Sequence, residues 1–287
     1  MSRPYNVHTA APRKEAEKLP YLPHHVFTVL WRERVLVAKL SAWEFQALYR
    51  TSLLGVLWAL LNPLLSLSVY TFVFGLVLHV KWQQEVPNVN DFALILFAGL
   101  IFFYFFADCL TRSPGLMLEN VNYIKKIIFP LEIMPWIVVV GSLIKAGVSL
   151  AILLVAIALL HGAPPWTAVF LPLVLAPIVL FALAASWFLA STGVFIRDLS
   201  QVVGPLVMLL LFISPVFYPV SALPAVLQPF LYLNPVTFIV EQARNVLLAG
   251  VLPDFTGLLF CFLLAWLAAW AGLFWFSRTK RGFADVV

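Results

Sequence analysis

Six long apolar runs, separated from one another by shorter polar stretches, organise the chain after residue 52. About 20 consecutive apolar residues are enough to cross the hydrocarbon core of a membrane as a helix, and a helix satisfies its own backbone hydrogen bonds in lipid. The pattern therefore predicts an all-α membrane protein with six transmembrane helices. The predicted spans cover residues 53–78, 92–110, 133–160, 169–195, 202–218 and 255–276.

The connection between the fifth and sixth predicted spans differs from the others. Residues 219–254 remain apolar but are interrupted by prolines at five positions. Two segments within this stretch, residues 225–233 and 236–248, are too short to cross the membrane core. We predict that they form a pair of re-entrant helices, and an external loop packed on the helix bundle is the alternative.

The polar N-terminal part divides into two predicted segments, which precede a transmembrane domain over residues 51–287. We expect residues 1–25 to be a flexible cytoplasmic segment. Residues 26–50 predict an amphipathic helix at the membrane interface, because Arg32 and Lys39 lie opposite an apolar side that only Arg34 and Glu44 interrupt. That apolar side consists of Val26, Phe27, Leu30, Trp31, Val37, Leu40, Phe45 and Leu48.

Composition and charge agree with a membrane protein and give it an orientation. Hydrophobic residues make up 63% of the 287 residues and charged residues only 11%, whereas soluble domains carry about 25% charge. Of the 18 Lys and Arg residues, the six-span arrangement puts only Lys81 and Arg244 on the outer side and Lys145 inside a span. The positive-inside rule then predicts a multi-pass membrane protein with both termini in the cytoplasm, and we expect its location to be the bacterial inner membrane.

The sequence lacks the motifs of nucleotide hydrolysis and of metal catalysis. It contains no Walker A phosphate loop, no histidine pair with metalloprotease spacing and no aspartate-rich pair. We therefore expect no enzyme activity and no cofactor on this chain, with energy supplied elsewhere. The net charge of +5 reflects the topology, so no nucleic-acid partner is expected. An ion-coupled secondary transporter or an intramembrane enzyme remains an alternative class.

Two ionisable residues lie at membrane depth, Asp108 in the second span and Lys145 in the third. Buried charges of this kind face protein or water and often pair with each other. Three roles are open: a structural ion pair or a snorkelling side chain, part of the lining of a substrate path, or a coupling site for an ion.

Aromatic residues form 15% of the chain and concentrate in several spans. Aromatic rings can stack on the apolar faces of sugar rings, so a row of them would let a polar chain slide. Membrane-facing or core packing is the alternative role for each of them. The candidates for a glycan path are Phe103, Tyr104, Phe106, Trp187, Phe217 and Tyr218.

The cytoplasmic loop between the second and third spans predicts a short, partly charged helix. Pro130 should end such a helix before it. A helix of this kind, lying along the membrane face, fits a groove on a cytoplasmic partner, and a solvated loop is the alternative.

Several ordered segments resemble the ABC-2-type permeases that export polysaccharides, O-antigen and teichoic acids (Wzm-like permeases). The similar segments follow the family's order and cover most of the chain after residue 30. They are residues 49–63, 73–75, 124–135, 197–198, 213–219 and 233–236, together with Arg244.

The resemblance implies a complex of two copies of this chain with two ABC ATPases, which bind ATP and magnesium. It implies a lipid-linked polysaccharide as cargo, contact with membrane lipids, and re-entrant helices that cap the exit. An ABC-2 exporter of a drug or a lipid is the alternative. Residues 40–48 are less basic than in such permeases, which leaves contact with a lipid diphosphate open. The resemblance also implies a coupling helix seated on the ATPase, with the residues Glu119, Asn120, Asn122, Tyr123, Lys125 and Lys126.

Overall fold

The computed structural model describes residues 23–50, 54–55, 57–77, 89–125 and 129–286, and all regular elements among them are helical. The predicted flexible segment, residues 1–25, lies almost entirely outside the described residues. The α-helices are α1 His25–Tyr49, α2 Leu57–Tyr70, α3 Val89–Arg112, α4 Leu116–Glu119, α5 Val121–Ile124, α6 Met134–His161, α7 Leu171–Phe195, α8 Leu199–Ile213, α9 Gln228–Leu231, α10 Pro235–Arg244, α11 Phe255–Thr279 and α12 Phe283–Val286.

Four of the predicted spans are confirmed as helices that are long and apolar enough to cross a membrane, and they contain α3, α6, α7 and α11. Helices α2 and α8 occupy the other two predicted spans but are shorter, so the count of six crossings stays a prediction. Helix α8 ends at Ile213, five residues before the predicted end, because Ser214 precedes a proline and adopts an extended conformation. Helix α2 continues as a π-helical turn, Thr71–Val77.

Helix α3 lies at the centre of the bundle, where it contacts α6, α7, α8 and α10. Helix α11 packs along α7. A Cβ atom at Gly272 would lie 2.6 Å from the carbonyl oxygen of Ala184, so the absence of a side chain lets these two helices approach closely.

Helix α1 packs against α6 and reaches α11. The predicted apolar side of this helix is wrong in part, since Val26 and Val37 are buried whereas Trp31 is 72% exposed on another face. Val26 and Trp31 both precede the kink at Glu33, and five helical residues already separate their directions by about 140°. The apolar side was therefore drawn too wide, and only part of it packs against α6. Its position at the membrane interface stays a prediction.

The predicted re-entrant pair corresponds to two short helices, α9 and α10, and α10 continues as a π-helical turn, Asn245–Ala249. The side chain of Asn234 caps α10 by accepting from the Val236 backbone N–H at 3.0 Å and donates to the Ser214 hydroxyl at 2.7 Å. We call residues 215–249 the hairpin segment. Its depth in the membrane stays a prediction.

Candidate functional site

A cavity of about 560 Å³, with a mostly apolar wall that carries several polar side chains, opens between α2, α3, α6 and α8. Polar side chains in the membrane-spanning part of a protein are costly unless they pair or line a water-filled space, so their concentration here marks a candidate site. The polar residues that line this cavity are Asn62, Ser66, Tyr70, Tyr104, Asp108, Thr111, Ser142, Lys145 and Ser149.

The two predicted intramembrane charges meet at one wall of the cavity. The Lys145 Nζ atom lies 2.5 Å from the Asp108 Oδ2 atom, and the Ser142 hydroxyl donates to the same oxygen at 2.5 Å. Ser142 and Lys145 are three positions apart on α6, so both side chains point towards α3. Asp108 and Lys145 therefore form an ion pair, while the three roles considered for them remain to be distinguished.

Two further charges, Arg112 and Glu44, extend this ion pair. Arg112 follows Asp108 by one helical turn, with 3.7 Å between its Nη1 atom and Asp108 Oδ2, and its other terminal nitrogen donates to the Glu44 carboxylate. Between 24% and 28% of each of the four side chains is exposed. We call Glu44, Asp108, Arg112 and Lys145 the four-charge cluster; its formal charges sum to zero.

Arg112 and Glu44 were not among the residues predicted from sequence. The four-residue spacing of Asp108 and Arg112 on one helix was a usable signal. The contact with Glu44 had no such signal, because it depends on how α1 packs against α6. The same packing is held by the Ser41 hydroxyl, which donates to the Ile137 carbonyl at 3.2 Å.

Aromatic residues form another wall of the cavity. The hydroxyl oxygens of Tyr70 on α2 and Tyr104 on α3 are 2.7 Å apart, and Phe103 also lines the space. The π-helical turn of α2 begins directly after Tyr70. Such turns often occur at functional sites, so the phenol pair joins two helices where one of them departs from regular geometry.

The remaining glycan-path candidates lie outside this cavity. Phe106 and Trp187 are buried, and the Trp187 indole N–H donates to the Glu132 carbonyl at 3.0 Å. Phe217 and Tyr218 follow α8, and the Tyr218 hydroxyl donates to the Phe212 carbonyl at 2.9 Å. Their part in a path stays a prediction.

The predicted coupling segment consists of two short helices, α4 and α5, which meet at Asn120. The Asn120 side-chain amide donates to the Leu116 carbonyl at 2.9 Å, which competes with continuous helix formation. Glu119, Asn122 and Lys125 are exposed, and they lie on both sides of the break at Asn120. The ring of Tyr123 lies 4.4 Å from that of Phe129. Lys126 lies outside the described residues.

Arg244 anchors the hairpin segment to the bundle. Its guanidinium group donates to the carbonyl oxygens of Ile95, Pro215 and Val216 at 3.0, 2.8 and 2.8 Å. On the surface of the same segment, the Tyr232 hydroxyl donates to the Glu241 carboxylate at 2.7 Å.

The described residues contain no group of three or more His, Cys, Asp or Glu side chains that could hold a metal ion. The polar groups of the cavity can instead donate and accept hydrogen bonds. This chemistry suits a neutral hydroxylated ligand.

Comparisons with known proteins agree on one family. The model of the family described as "ABC-2 type transporter" matches residues 36–248. The chain is 30% identical over 261 residues to an "O-antigen export system permease protein RfbA" of Myxococcus xanthus, and this alignment covers 90% of this chain and 97% of the relative. A protein of the same name from Klebsiella pneumoniae is 25% identical, with 85% and 92% covered. The "Polysialic acid transport protein KpsM" of Escherichia coli is 26% identical, with 77% and 84% covered.

Proposed function

This chain belongs to the ABC-2 type transporter family, and from that premise we propose that it is the permease subunit of an exporter for a lipid-linked, O-antigen-like polysaccharide. The similarity to an O-antigen export permease across 97% of that protein's length carries this proposal. The family model, which matches residues 36–248, includes the loop between α3 and α6 and all but the last residue of the hairpin segment.

The proposed complex contains two copies of this chain and two ABC ATPases. Each ATPase would bind ATP and magnesium, and the permeases would enclose the path of the glycan across the inner membrane. The described part of the chain offers two long apolar surfaces for contact with a second copy or with lipid. Their exposed residues include Leu57, Leu64 and Leu65 on α2, Phe72 in the π-helical turn that follows it, and Leu206, Leu209 and Phe212 on α8.

The connection from ATPase to path would run through α4 and α5. These helices follow directly after α3, which carries Asp108 and Arg112 of the four-charge cluster and also contacts α10 of the hairpin segment. If the ATPase displaces α4 and α5, helix α3 can therefore transmit the movement to the cavity and to the proposed exit. Such coupling requires different contacts in the two nucleotide states.

The test is export in vesicles that contain this permease and its cognate ATPase. We expect luminal accumulation of lipid-linked polysaccharide that depends on ATP and stops when the Walker A lysine of the ATPase is replaced. A drug or a short lipid supplied in the same vesicles is the matched cargo control. ATP-dependent transport of that control without transport of the glycan, or glycan transport driven by a proton or sodium gradient alone, contradicts the proposal.

A further inference from the structure

We propose that Asp108 and Lys145 form a subsite for a neutral sugar inside each permease, at the wall of the cavity between α2, α3, α6 and α8. The inference rests on the proposed export of a polysaccharide and names where one short stretch of that glycan is held. It is based on the hydrogen-bond donors and acceptors of the four-charge cluster that its internal contacts leave unused.

After the contacts inside the cluster are formed, one oxygen of Asp108 can still accept a hydrogen bond and the ammonium group of Lys145 can still donate. The described side-chain contacts of Asp108, from Lys145, Ser142 and Arg112, all fall on its Oδ2 atom, so the Oδ1 atom has acceptor capacity left. An ammonium group carries three N–H donors, and Asp108 takes one from Lys145. About a quarter of each of these two side chains is exposed, which allows a ligand in the cavity to reach them.

A hydroxyl group matches this arrangement because it donates and accepts at the same atom. It can donate to Asp108 and accept from Lys145 without displacing the ion pair. Tyr104 lines the same cavity and is 45% exposed, so its hydroxyl can bond a second sugar hydroxyl and its ring offers a partner for the apolar face of a sugar ring. The volume of about 560 Å³ falls within the roughly 300–1,000 Å³ typical of small-ligand sites.

The charge balance argues against the other ligand classes. Each of the two cations already faces a carboxylate, since Lys145 pairs with Asp108 and Arg112 with Glu44. A diphosphate would have to break these pairs to gain the same cations. A metal ion or a bare proton would be repelled by Lys145 and Arg112, which lie on two sides of Asp108. A neutral, hydroxyl-rich ligand can form hydrogen bonds without breaking the ion pairs and without being repelled by the two cations.

The experiment is ligand-observed saturation-transfer NMR on the intact complex of permease and ATPase in nanodiscs. The probes are maltopentaose and mannopentaose as neutral sugars, with inorganic diphosphate as a charged competitor. We expect saturation transfer to at least one pentasaccharide, reduced at least fivefold in Lys145→Met and in Asp108→Asn, and unaffected by diphosphate. The control is Ser68→Ala, which removes an exposed hydroxyl of α2 that bonds only within its own helix.

The double variant Asp108→Asn with Lys145→Met separates lost binding from lost folding, because it removes the pair without leaving a single uncompensated charge between the two positions. We expect it to keep a cooperative thermal transition and still to lose the sugar signal. Equal signals in wild type and variants, no signal in the wild type, or displacement by diphosphate overturns the subsite. If the wild-type complex exports glycan and yet gives one of these results, the subsite alone is refuted. If the wild-type complex does not export glycan, the proposed function is refuted.

Discussion

At the scale of single residues, Gly99 and Arg244 show how one missing side chain allows one buried cation. A Cβ atom at Gly99 would lie 2.5 Å from the Arg244 Nη2 atom, which already donates to the Val216 carbonyl. The side chain of Arg244 cannot move aside without losing hydrogen bonds in a buried site, where unsatisfied polar groups are costly. The glycine is therefore part of the attachment between α3 and the hairpin segment.

Gly99→Ala is expected to destabilise the protein and to loosen the hairpin segment. The matched control is Gly147→Ala on α6, where a Cβ atom would meet nothing within 4 Å. Alanine favours a helix over glycine by about 1 kcal/mol, so the control should be neutral or slightly stabilising. The measurements are the melting temperature in detergent and the rate of limited proteolysis within residues 215–249. Equal behaviour of the two variants would show that Arg244 adjusts without loss.

The salt bridge between Arg112 and Glu44 gives a second prediction at this scale. Arg112→Met leaves Glu44 and Asp108 with one cation fewer, and charged hydrogen bonds of this kind contribute about 1.5–3 kcal/mol. We expect a lower melting temperature for Arg112→Met and for Glu44→Gln, and a smaller loss in the double variant than the sum of the two. Additive losses in this cycle would mean that the two side chains do not interact energetically.

Residues of the candidate site differed in how far the sequence could identify them. Asp108 and Lys145 stood out because charge is rare in apolar spans, and their pairing followed from the usual fate of such charges. Tyr104 was one of six aromatic candidates, and no sequence pattern separates a ring that lines a cavity from one, such as Trp187, that is buried. Glu44 entered the site only through the packing of α1, which is a tertiary contact.

At the scale of elements, long apolar runs were the dependable signal and helix faces were not. Helices α3, α6, α7 and α11 follow from hydropathy, because lipid requires a continuous helix wherever the chain crosses. Trp31 and Trp43 are exposed on α1, whereas Ser41 is buried and Glu44 pairs with Arg112 of α3. Packing of one narrow face on α6 produces this distribution, and the sequence pattern does not show which apolar residues will meet that partner helix.

The joint between α4 and α5 gives a prediction for the ATPase contact. Lys125→Glu reverses an exposed charge of the predicted coupling segment, so it should weaken docking of the ATPase if this segment is seated in its groove. Lys125→Arg, which keeps the charge, is the control. We expect at least a fivefold loss of ATPase recovered with the affinity-purified permease for the first variant and little change for the second. Undiminished recovery with Lys125→Glu would assign the contact to another surface.

At the scale of the whole molecule, the number of crossings decides on which side each loop lies. If only the four long helices cross, the loop that carries Lys125 and the loop after α6 exchange sides relative to the six-span arrangement. The positive-inside rule favours six crossings, since it keeps Arg112, Lys125 and the basic C-terminal end on one face. Helices α2 and α8 must then cross despite their shorter length, which a locally thinner bilayer or a partner protomer can accommodate.

A cysteine at Ala163 distinguishes these arrangements directly. Ala163 is exposed in the short turn between α6 and α7, and both helices are long enough to cross. In a background with Cys109→Ser and Cys261→Ser, six crossings predict that a membrane-impermeant maleimide labels Ala163→Cys in intact spheroplasts. The same reagent should reach Val286→Cys only after the membrane is permeabilised. The opposite accessibility at Ala163, with Val286→Cys still protected, would leave four crossings and place the loop with Lys125 outside, where no ATPase can bind it.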